Sequence, residues 1–277
     1  MKLSDLVIGG GGALALVALL CALRNSSALG NLVARNVAEK QPPRRDRQAA
    51  PPVEPPVRTF SKQEVPSSTR SREVVSRVAP RLIRELAAAG LECGQPVFMR
   101  VFKEEKQLEL FVERDQSFVL FRTYRVAACS GVLGPKLAEG DRQAPEGFYS
   151  VPPSRMNPDS RFHLSFNIGY PNAFDRANGR TGSALMVHGG EASIGCFAMT
   201  DSGIEEIYTL AEAALRNGQK SFPVHCFPFR MTAANMRRHR NSKWYPFWQL
   251  LKEGHDCFVH TSNPPDVAVR GKDYVID

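Results

Sequence analysis

The sequence has few cysteines, and it has little net charge outside its N-terminal region. Six cysteines among 277 residues are too sparse for a scaffold built from disulfides. The formal net charge is +8, but residues 1–72 hold 11 Lys and Arg against 5 Asp and Glu, a net of +6, which leaves only +2 for residues 73–277. The later part of the chain therefore lacks the basic character of a nucleic-acid-binding domain, and we expect no nucleic-acid partner. A hydrophobic content of 43% with 23% charged residues also excludes a fully disordered chain or a multi-spanning membrane protein.

Residues 1–28 have the character of an export signal or of a single membrane anchor. From Leu6 to Leu23 the chain has 18 residues without a charge. At about 1.5 Å per residue such a helix reaches roughly 27 Å, enough to span a hydrocarbon core. Secretory signals usually have a shorter apolar region of about 7–15 residues, although Ser26 and Ala28 are small enough for cleavage after Ala28. Either interpretation exports the rest of the chain and confines any membrane contact to residues 6–23.

Residues 29–72 are expected to form a linker. Seven prolines fall between Pro42 and Pro66, interspersed with arginine and lysine. This composition cannot bury apolar surface, and it favours an extended, semi-rigid chain. We therefore assign residues 29–72 a spacing function and place one globular domain at residues 73–277.

Hydrophobic periodicity predicts a β-rich α+β domain. Alternating residues predict consecutive strands with short polar turns, and shorter strands are expected further along the chain. The predicted strands are 96–103, 107–113, 118–127, 147–151, 163–166 and 184–187. Because helices do not alternate regularly with these strands, a doubly wound fold is not expected.

Apolar residues at helical spacing predict helices around this β structure. The first covers about 72–89, with Gly90 as its stop, and the second covers about 202–217, with Ser202 and Glu205 spaced as a capping box. Trp244, Phe247, Trp248 and Leu251 repeat at helical spacing before Gly254, and this aromatic stripe is interpreted as core packing.

One stretch has the residues for nucleophilic chemistry. Residues 184–201 read ALMVHGGEASIGCFAMTD, in which an apolar strand ends in His188 and Cys196 follows eight residues later. A thiol becomes a good nucleophile near neutral pH as its thiolate, and a neighbouring imidazole promotes that ionisation. The intervening glycines allow the loop to fold back, and the backbone N–H groups near Gly195 and Cys196 are candidates for an oxyanion hole.

Two other interpretations of these residue types stay open. Cys196 can be a small buried residue and His188 a strand-end side chain satisfied by backbone. A structural metal can be considered at His255, Cys257 and His260, or at the adjacent His225 and Cys226. The spacing of these residues does not follow the paired ligand pattern of zinc sites, so no metal ligand is assigned.

The H-G…S-x-G-C pattern resembles the YkuD-type L,D-transpeptidases of bacterial peptidoglycan. The similarity extends to KEEKQLELFV, GPKLAEGDRQAPEGFY, SIGCFAMTD and PFRMTAANMRRHRNSKWYPFW. These stretches resemble a proteobacterial branch of the family, which includes a periplasmic amidase that detaches Braun's lipoprotein from peptidoglycan. The resemblance covers roughly residues 74–275, and it implies a β-sandwich or barrel catalytic domain with peripheral helices.

The resemblance also implies roles for individual residues. Cys196 matches the nucleophile and His188 the proton acceptor and donor, with a backbone carbonyl near Gly189 or Gly190 orienting the imidazole. Gly195 matches the tight turn before the nucleophile, and Ser193 the small polar residue of the motif. The wider family usually has His directly before Gly-Cys and Arg two places after the Cys, where this chain has Ile194 and Ala198.

The function implied is acyl transfer through a Cys196 thioester at the L-centre carbonyl of meso-diaminopimelate. The branch favours hydrolysis of the amide between peptidoglycan and a covalently attached lipoprotein. The wider family favours transfer, which forms wall cross-links or attaches proteins to the wall. The partners implied are stem peptides and a wall-linked lipoprotein, in the periplasm of a Gram-negative bacterium, with no metal or organic cofactor. A non-catalytic wall-binding module is the alternative of another class.

Substrate-binding residues are expected in the glycine-rich loops. Tyr170 and Asn172 are candidates for shaping the groove, and the alternative is that they form a turn. Four basic side chains are candidates for contacting substrate carboxylates: Lys136, Arg142, Arg176 and Arg180. Glu191 lies between His188 and Cys196, and it is interpreted as a solvated loop carboxylate, with tuning of the imidazole as the alternative. Cys93, Cys129, Cys226 and Cys257 are left without an assigned pairing, because connectivity cannot be deduced from sequence.

Overall fold

The computed structural model of this chain describes residues 64–276. The predicted export segment and most of the predicted linker lie outside the described residues. The helices within the described range are α1 Thr69–Ala88, α2 Ala173–Ala177, α3 Asp201–Arg216, α4 Ala233–Arg238 and α5 Tyr245–Thr261. The strands are β1 Val97–Phe102, β2 Gln107–Arg114, β3 Ser117–Arg125, β4 Ala128–Cys129, β5 Gly147–Val151, β6 Met156–Ser160, β7 His163–Asn167, β8 Met186–His188, β9 Phe197–Ala198, β10 Phe222–Phe227, β11 Val267–Arg270 and β12 Asp273–Ile276. None of the helices in residues 64–276 is both long and apolar enough to cross a membrane.

Two five-stranded sheets dominate the fold. The first has the strand order β3-β2-β1-β10-β5, and the second has the order β4-β9-β8-β7-β6, while β11 and β12 form a separate hairpin. Neighbouring strands are mostly antiparallel, but β1 pairs with β10 in parallel and β8 pairs with β9 in parallel. This arrangement confirms the predicted β-rich α+β class.

The main core joins both sheets to α1 and α3. Met99 and Leu108 come from the first sheet, Phe166 and Val187 from the second, and Leu82 from α1, and all five belong to one cluster of buried side chains. Burying an apolar side chain of this size contributes about 1.5–3 kcal/mol, so this cluster holds the second sheet, which carries His188, against the rest of the domain.

Helix α1 begins at Thr69, within the segment that was predicted to be linker, residues 29–72. Ser68 caps the helix by accepting a hydrogen bond from the Ser71 backbone N–H at 3.1 Å, and the Ser71 hydroxyl completes the capping box. Val65 lies before the cap and is buried in the main core. The domain therefore includes residues 65–72, which were assigned to the linker because the prolines and arginines there masked a single buried valine and a serine cap.

The N-terminus of α3 also differs from the prediction. Thr200, not Ser202, is the N-cap, and its hydroxyl accepts from the Gly203 N–H at 3.1 Å. Glu205 does not complete a capping box, because its carboxylate binds Arg77 and His163 instead. The cap therefore lies two residues earlier, directly after the segment that carries Cys196.

Helix α5 carries the aromatic stripe and extends past Gly254 to Thr261. Phe247, Trp248 and Leu251 are buried, in agreement with the core interpretation. Gly254 lies inside the helix, where an added Cβ would stand 2.6 Å from Cζ of Phe148. The glycine is therefore a close-packing position against the first sheet.

Candidate active site

The parallel pairing of β8 with β9 brings the two chemistry-bearing positions to one place. Val187 lies opposite Phe197 and His188 opposite Ala198, so the loop between the strands folds back along β8. Cys196 immediately precedes β9, and its Sγ accepts a hydrogen bond from the Met186 N–H at 3.4 Å. Sγ also lies 3.7 Å from the Ala184 carbonyl oxygen. The thiol is thus held against the strand that ends in His188.

The imidazole of His188 is buried and has a fixed orientation. Its Nδ1 lies 2.5 Å from the carbonyl oxygen of Gly189, and because a carbonyl can only accept, this contact assigns the proton to Nδ1. Nε2 then carries the lone pair. The Phe162 ring packs on the imidazole with centroids 4.7 Å apart. Burial lowers the pKa of His188, and the Gly189 carbonyl partly opposes that shift, so the neutral imidazole is favoured at pH 7.

The thiol of Cys196 is also neutral in this resting structure. Burial raises its pKa above the ordinary value, while the Met186 N–H and the positive charge of Lys136 act in the opposite direction. The sequence led us to expect a thiolate formed by His188. Because desolvation disfavours the charged form of both groups, the structure instead favours a neutral thiol and a neutral imidazole at rest.

The glycines that follow His188 provide space and hydrogen bonds. An added Cβ at Gly189 would lie 2.5 Å from Oδ1 of Asp201 and 2.7 Å from the Phe162 carbonyl oxygen, so no side chain fits there. The Gly189 N–H donates to the Phe162 and Leu164 carbonyls, and the Gly190 N–H donates to Asp201 at 2.8 Å. Gly189 and Gly190 therefore fix the turn after His188, and their amides are already occupied.

The turn before Cys196 is held from both sides. The Ser193 hydroxyl donates to the Cys196 carbonyl at 2.6 Å, and the Gly195 N–H donates to Oγ of Ser130 at 2.6 Å. Gly195 adopts a φ of +100°, which favours glycine. The expectation that the Gly195 amide serves an oxyanion hole is therefore wrong in this structure, because Ser130 accepts that hydrogen bond. The Cys196 N–H remains the candidate donor.

Ser130 was not identified from sequence, yet it supports the reactive turn. It follows β4, which pairs with β9, and its hydroxyl both accepts from Gly195 and donates to the Arg142 carbonyl at 2.7 Å. Ser130 lies 65 residues before Gly195, and no local pattern marks it. Only the pairing of β4 with β9 makes this contact visible.

Replacing Ser130 with alanine is expected to lower turnover at this site by about tenfold with little change in KM. Losing one such hydrogen bond costs about 1 kcal/mol or more, and it frees the turn that positions Cys196. Steady-state kinetics of Ser130→Ala beside Ser150→Ala, a serine in β5 that bonds Ser221, will separate positioning from general destabilisation. Equal kinetics for the two variants would contradict the positioning role.

Three of the six predicted substrate-binding residues serve the scaffold. Tyr170 is buried, and its hydroxyl donates to backbone carbonyls. Asn172 caps α2 and also bonds Tyr274. Arg180 is only 8% exposed, pairs with Asp175 at 2.8 Å and lies over Phe174 and Phe247. The polar groups of these three side chains are engaged within the protein, which supports a structural role for them, and their contact with substrate stays a prediction.

The remaining candidates differ in exposure. Arg176 is exposed and donates to the Pro171 carbonyl, and Arg142 is also exposed. Lys136 is buried, with its Nζ 2.6 Å from Asp141, and its charge acts on the Cys196 thiol. Lys136 is therefore an electrostatic neighbour of the thiol, whereas its expected contact with a substrate carboxylate is not supported by its pairing with Asp141.

The histidines and cysteines outside this site do not converge on a metal position. Within residues 64–276, no group of three His, Cys, Asp or Glu side chains is arranged to hold a metal ion. His225 packs among aromatic rings, and His255 contacts Asp256. All five cysteines of this range are free thiols: Cys93, Cys129, Cys196, Cys226 and Cys257.

Comparison with known proteins assigns the class of this site. The model of the YkuD L,D-transpeptidase catalytic domain matches residues 96–226, which contain both His188 and Cys196. The chain belongs to the YkuD L,D-transpeptidase family. A relative with the name "Putative L,D-transpeptidase YafK" from Escherichia coli strain K12 is 48% identical over 183 residues, which are 66% of this chain and 74% of that protein. The YafK protein of E. coli O157:H7 matches with the same identity and coverage.

Two solved structures show a more distant similarity. The helical cell shape determining protein Pgp2 from Campylobacter jejuni is 18% identical with a TM-score of 0.40, covering 64% of this chain and 73% of that one. Bd1075 from Bdellovibrio bacteriovorus is 20% identical with a TM-score of 0.35, covering 58% and 60% of the two chains. No functional conclusion follows from similarity at this level.

Proposed function

We propose that this chain is a cysteine acyl-transfer enzyme that cleaves the amide between peptidoglycan and a covalently attached lipoprotein. The observation that carries the proposal is the hydrogen bond from His188 Nδ1 to the Gly189 carbonyl, because it leaves Nε2 free to accept a proton. The position of Cys196 against the same strand, and membership of the L,D-transpeptidase family, support the same chemistry. The site would act on the L-centre carbonyl of meso-diaminopimelate.

The first step forms a thioester and releases an amine. Nε2 of His188 takes the proton of the Cys196 thiol as the sulfur attacks the carbonyl carbon. The carbonyl oxygen becomes negative, and the Cys196 N–H is the donor proposed to stabilise it. The tetrahedral intermediate then collapses, the carbon–nitrogen bond breaks, and the imidazolium gives its proton to the departing nitrogen. The products are a neutral amine, a neutral imidazole and the acyl-enzyme.

The second step decides between hydrolysis and transfer. If water attacks the thioester, His188 accepts its proton and returns it to the sulfur, and a free carboxylic acid is released. If an amine attacks, the same proton movements form a new amide. Transfer is the second candidate function, favoured by the family and by the name of the E. coli relative. Stem peptides occur outside the cytoplasmic membrane, so either reaction requires the periplasmic location proposed for this chain.

The test is incubation of the full-length protein with sacculi that carry covalently bound lipoprotein. Mass analysis of the peptides released by muramidase will identify the products. Free diaminopimelate ends together with released lipoprotein are the expected result. New diaminopimelate bridges or exchanged amines would establish transfer instead, and sacculi that are bound but unchanged would identify a non-catalytic wall-binding module.

The pKa directions at the site predict how Cys196 reacts with an alkylating reagent. Because burial raises the pKa of the thiol, iodoacetamide should label Cys196 slowly at pH 7. The labelling rate should increase only at pH values above those at which an ordinary thiol ionises. Lys136→Met should shift this profile to still higher pH, because the lysine charge lowers the thiol pKa. Labelling that is already maximal at pH 7 would contradict a neutral resting pair.

A further inference from the structure

A cavity of about 460 Å³ lies beside the turn that follows His188. One wall is the end of strand β3, at the edge of the first sheet, and another is the first turn of α3. Among the residues that line it are Arg125, Ala127, Glu191, Met199, Thr200 and Ser202. None of these residues has a role in the proton transfers proposed above.

The cavity is joined to the active site through backbone hydrogen bonds. The Met199 N–H donates to the His188 carbonyl at 2.8 Å, and the Thr200 N–H donates to the Gly190 carbonyl at 2.9 Å. Glu191 is the next residue after Gly190 and also lines the cavity. The cavity therefore borders the turn that follows His188.

The cavity presents one free positive and one free negative side chain. Arg125 and Glu191 are both exposed, and within residues 64–276 neither forms an ion pair or a side-chain hydrogen bond. Arg122 on the same wall is engaged, because it pairs with Glu85 and Glu206. Two unpaired charges of opposite sign in one cavity fit a ligand that itself has an ammonium and a carboxylate.

We propose that this cavity binds the amine half of the substrate, an amino acid or peptide end with a free carboxylate. Its carboxylate would pair with Arg125. Its amine, once released and protonated by water, would lie near Glu191. This inference rests on the proposed function, since His188 must deliver its proton to that amine. For a lipoprotein joined through a lysine side chain, the ligand is a lysine with a free α-carboxylate.

Two substrates test this recognition directly. Both are disaccharide tripeptides whose diaminopimelate L-centre carboxyl is amide-linked to the ε-amine of lysine. In one the leaving group is Nα-acetyl-lysine, and in the other it is Nα-acetyl-lysine amide, which lacks the carboxylate. The full-length protein, Arg125→Ala and the matched control Arg270→Ala, an exposed arginine of β11 outside the cavity, are compared by kcat/KM.

The free carboxylate should be preferred about 10- to 100-fold by the unaltered protein, as expected for one charge-assisted contact. Arg125→Ala should lose this preference by reacting more slowly with the carboxylate substrate alone, while Arg270→Ala keeps it. Equal discrimination by Arg125→Ala and the unaltered protein would overturn the inference.

A binding measurement separates failure of this inference from failure of the proposed function. Calorimetric titration with Nα-acetyl-lysine needs no turnover, and binding should be weakened in both Arg125→Ala and Glu191→Gln. If neither substrate is cleaved but Nα-acetyl-lysine binds in this Arg125-dependent way, the proposed reaction fails and the cavity assignment stands. Absence of binding with cleavage of both substrates at equal rates would remove the cavity assignment and leave the reaction.

Discussion

Cys196→Ala is expected to abolish amide cleavage and to leave the folded structure unchanged. Removing a covalent nucleophile costs roughly 10⁴-fold or more in turnover, because no other group forms the acyl intermediate. The side chain is half-buried and makes only two weak sulfur contacts, so the cost in stability should be about 1 kcal/mol or less. Intact-mass spectrometry with substrate should show an adduct on the unaltered protein and none on the variant.

A second cysteine provides the matched control for this experiment. Cys93 is also a half-buried free thiol, and burial raises its pKa as it does for Cys196. It lies between α1 and β1 in the chain and is not part of the β8–β9 turn. Cys93→Ala should therefore retain full activity. Turnover that persists in Cys196→Ala, or an adduct that maps to another cysteine, would show that a different residue carries the chemistry.

In the proposed mechanism, His188 activates a thiol that is not ionised at rest. A neutral imidazole with its free nitrogen on Nε2 is already the base form, and burial lowers its pKa so that it stays in that form at neutral pH. The burial that disfavours the thiolate also strengthens each hydrogen bond offered to the reacting oxygen. Phe162 packing and the Gly189 contact hold the ring in place before substrate arrives.

Local sequence patterns predicted the elements that depend on neighbouring residues. The strand at Gly147–Val151 was predicted with its observed bounds, and α1 and α3 were located within a few residues. These elements have a clear hydrophobic period, since one face of each contacts the same core. The H-G…S-x-G-C pattern likewise located the turn between β8 and β9, because its glycines and polar residues are close in the chain.

Features that depend on distant residues were missed. Strand β10 was not predicted, although it pairs in parallel with β1 and lies near the centre of the first sheet. Ser130 was missed because its partner Gly195 is brought to it only by strand pairing. The surroundings of Arg180 were missed because an arginine in a glycine-rich loop gives no sign of the carboxylate and rings that enclose it. Such contacts are set by topology and not by local composition.

A buried ion pair under the active-site loop was also invisible in the sequence. Lys103 and Glu146 are 4% and 0% exposed at their side chains and lie 2.9 Å apart. Lys103 also donates to the carbonyls of Gly134 and Ala144, while Glu146 accepts from the Gly134 N–H and from Trp248. The pair therefore anchors both ends of the loop at residues 134–144. That loop also contains Lys136, whose charge acts on the Cys196 thiol, and Arg142, whose backbone carbonyl accepts a hydrogen bond from Ser130.

Lys103→Met is expected to destabilise the domain by about 3–5 kcal/mol, because it leaves the Glu146 carboxylate buried without its countercharge. Urea denaturation will measure this loss against Lys252→Met, which breaks the exposed Lys252–Asp256 pair and should cost about 0.5 kcal/mol or less. The double variant Lys103→Met/Glu146→Gln should recover part of the stability, since no unpaired charge then remains. Partial recovery would identify the uncompensated carboxylate as the cause, whereas a double variant less stable than Lys103→Met would show that the carboxylate itself holds the loop.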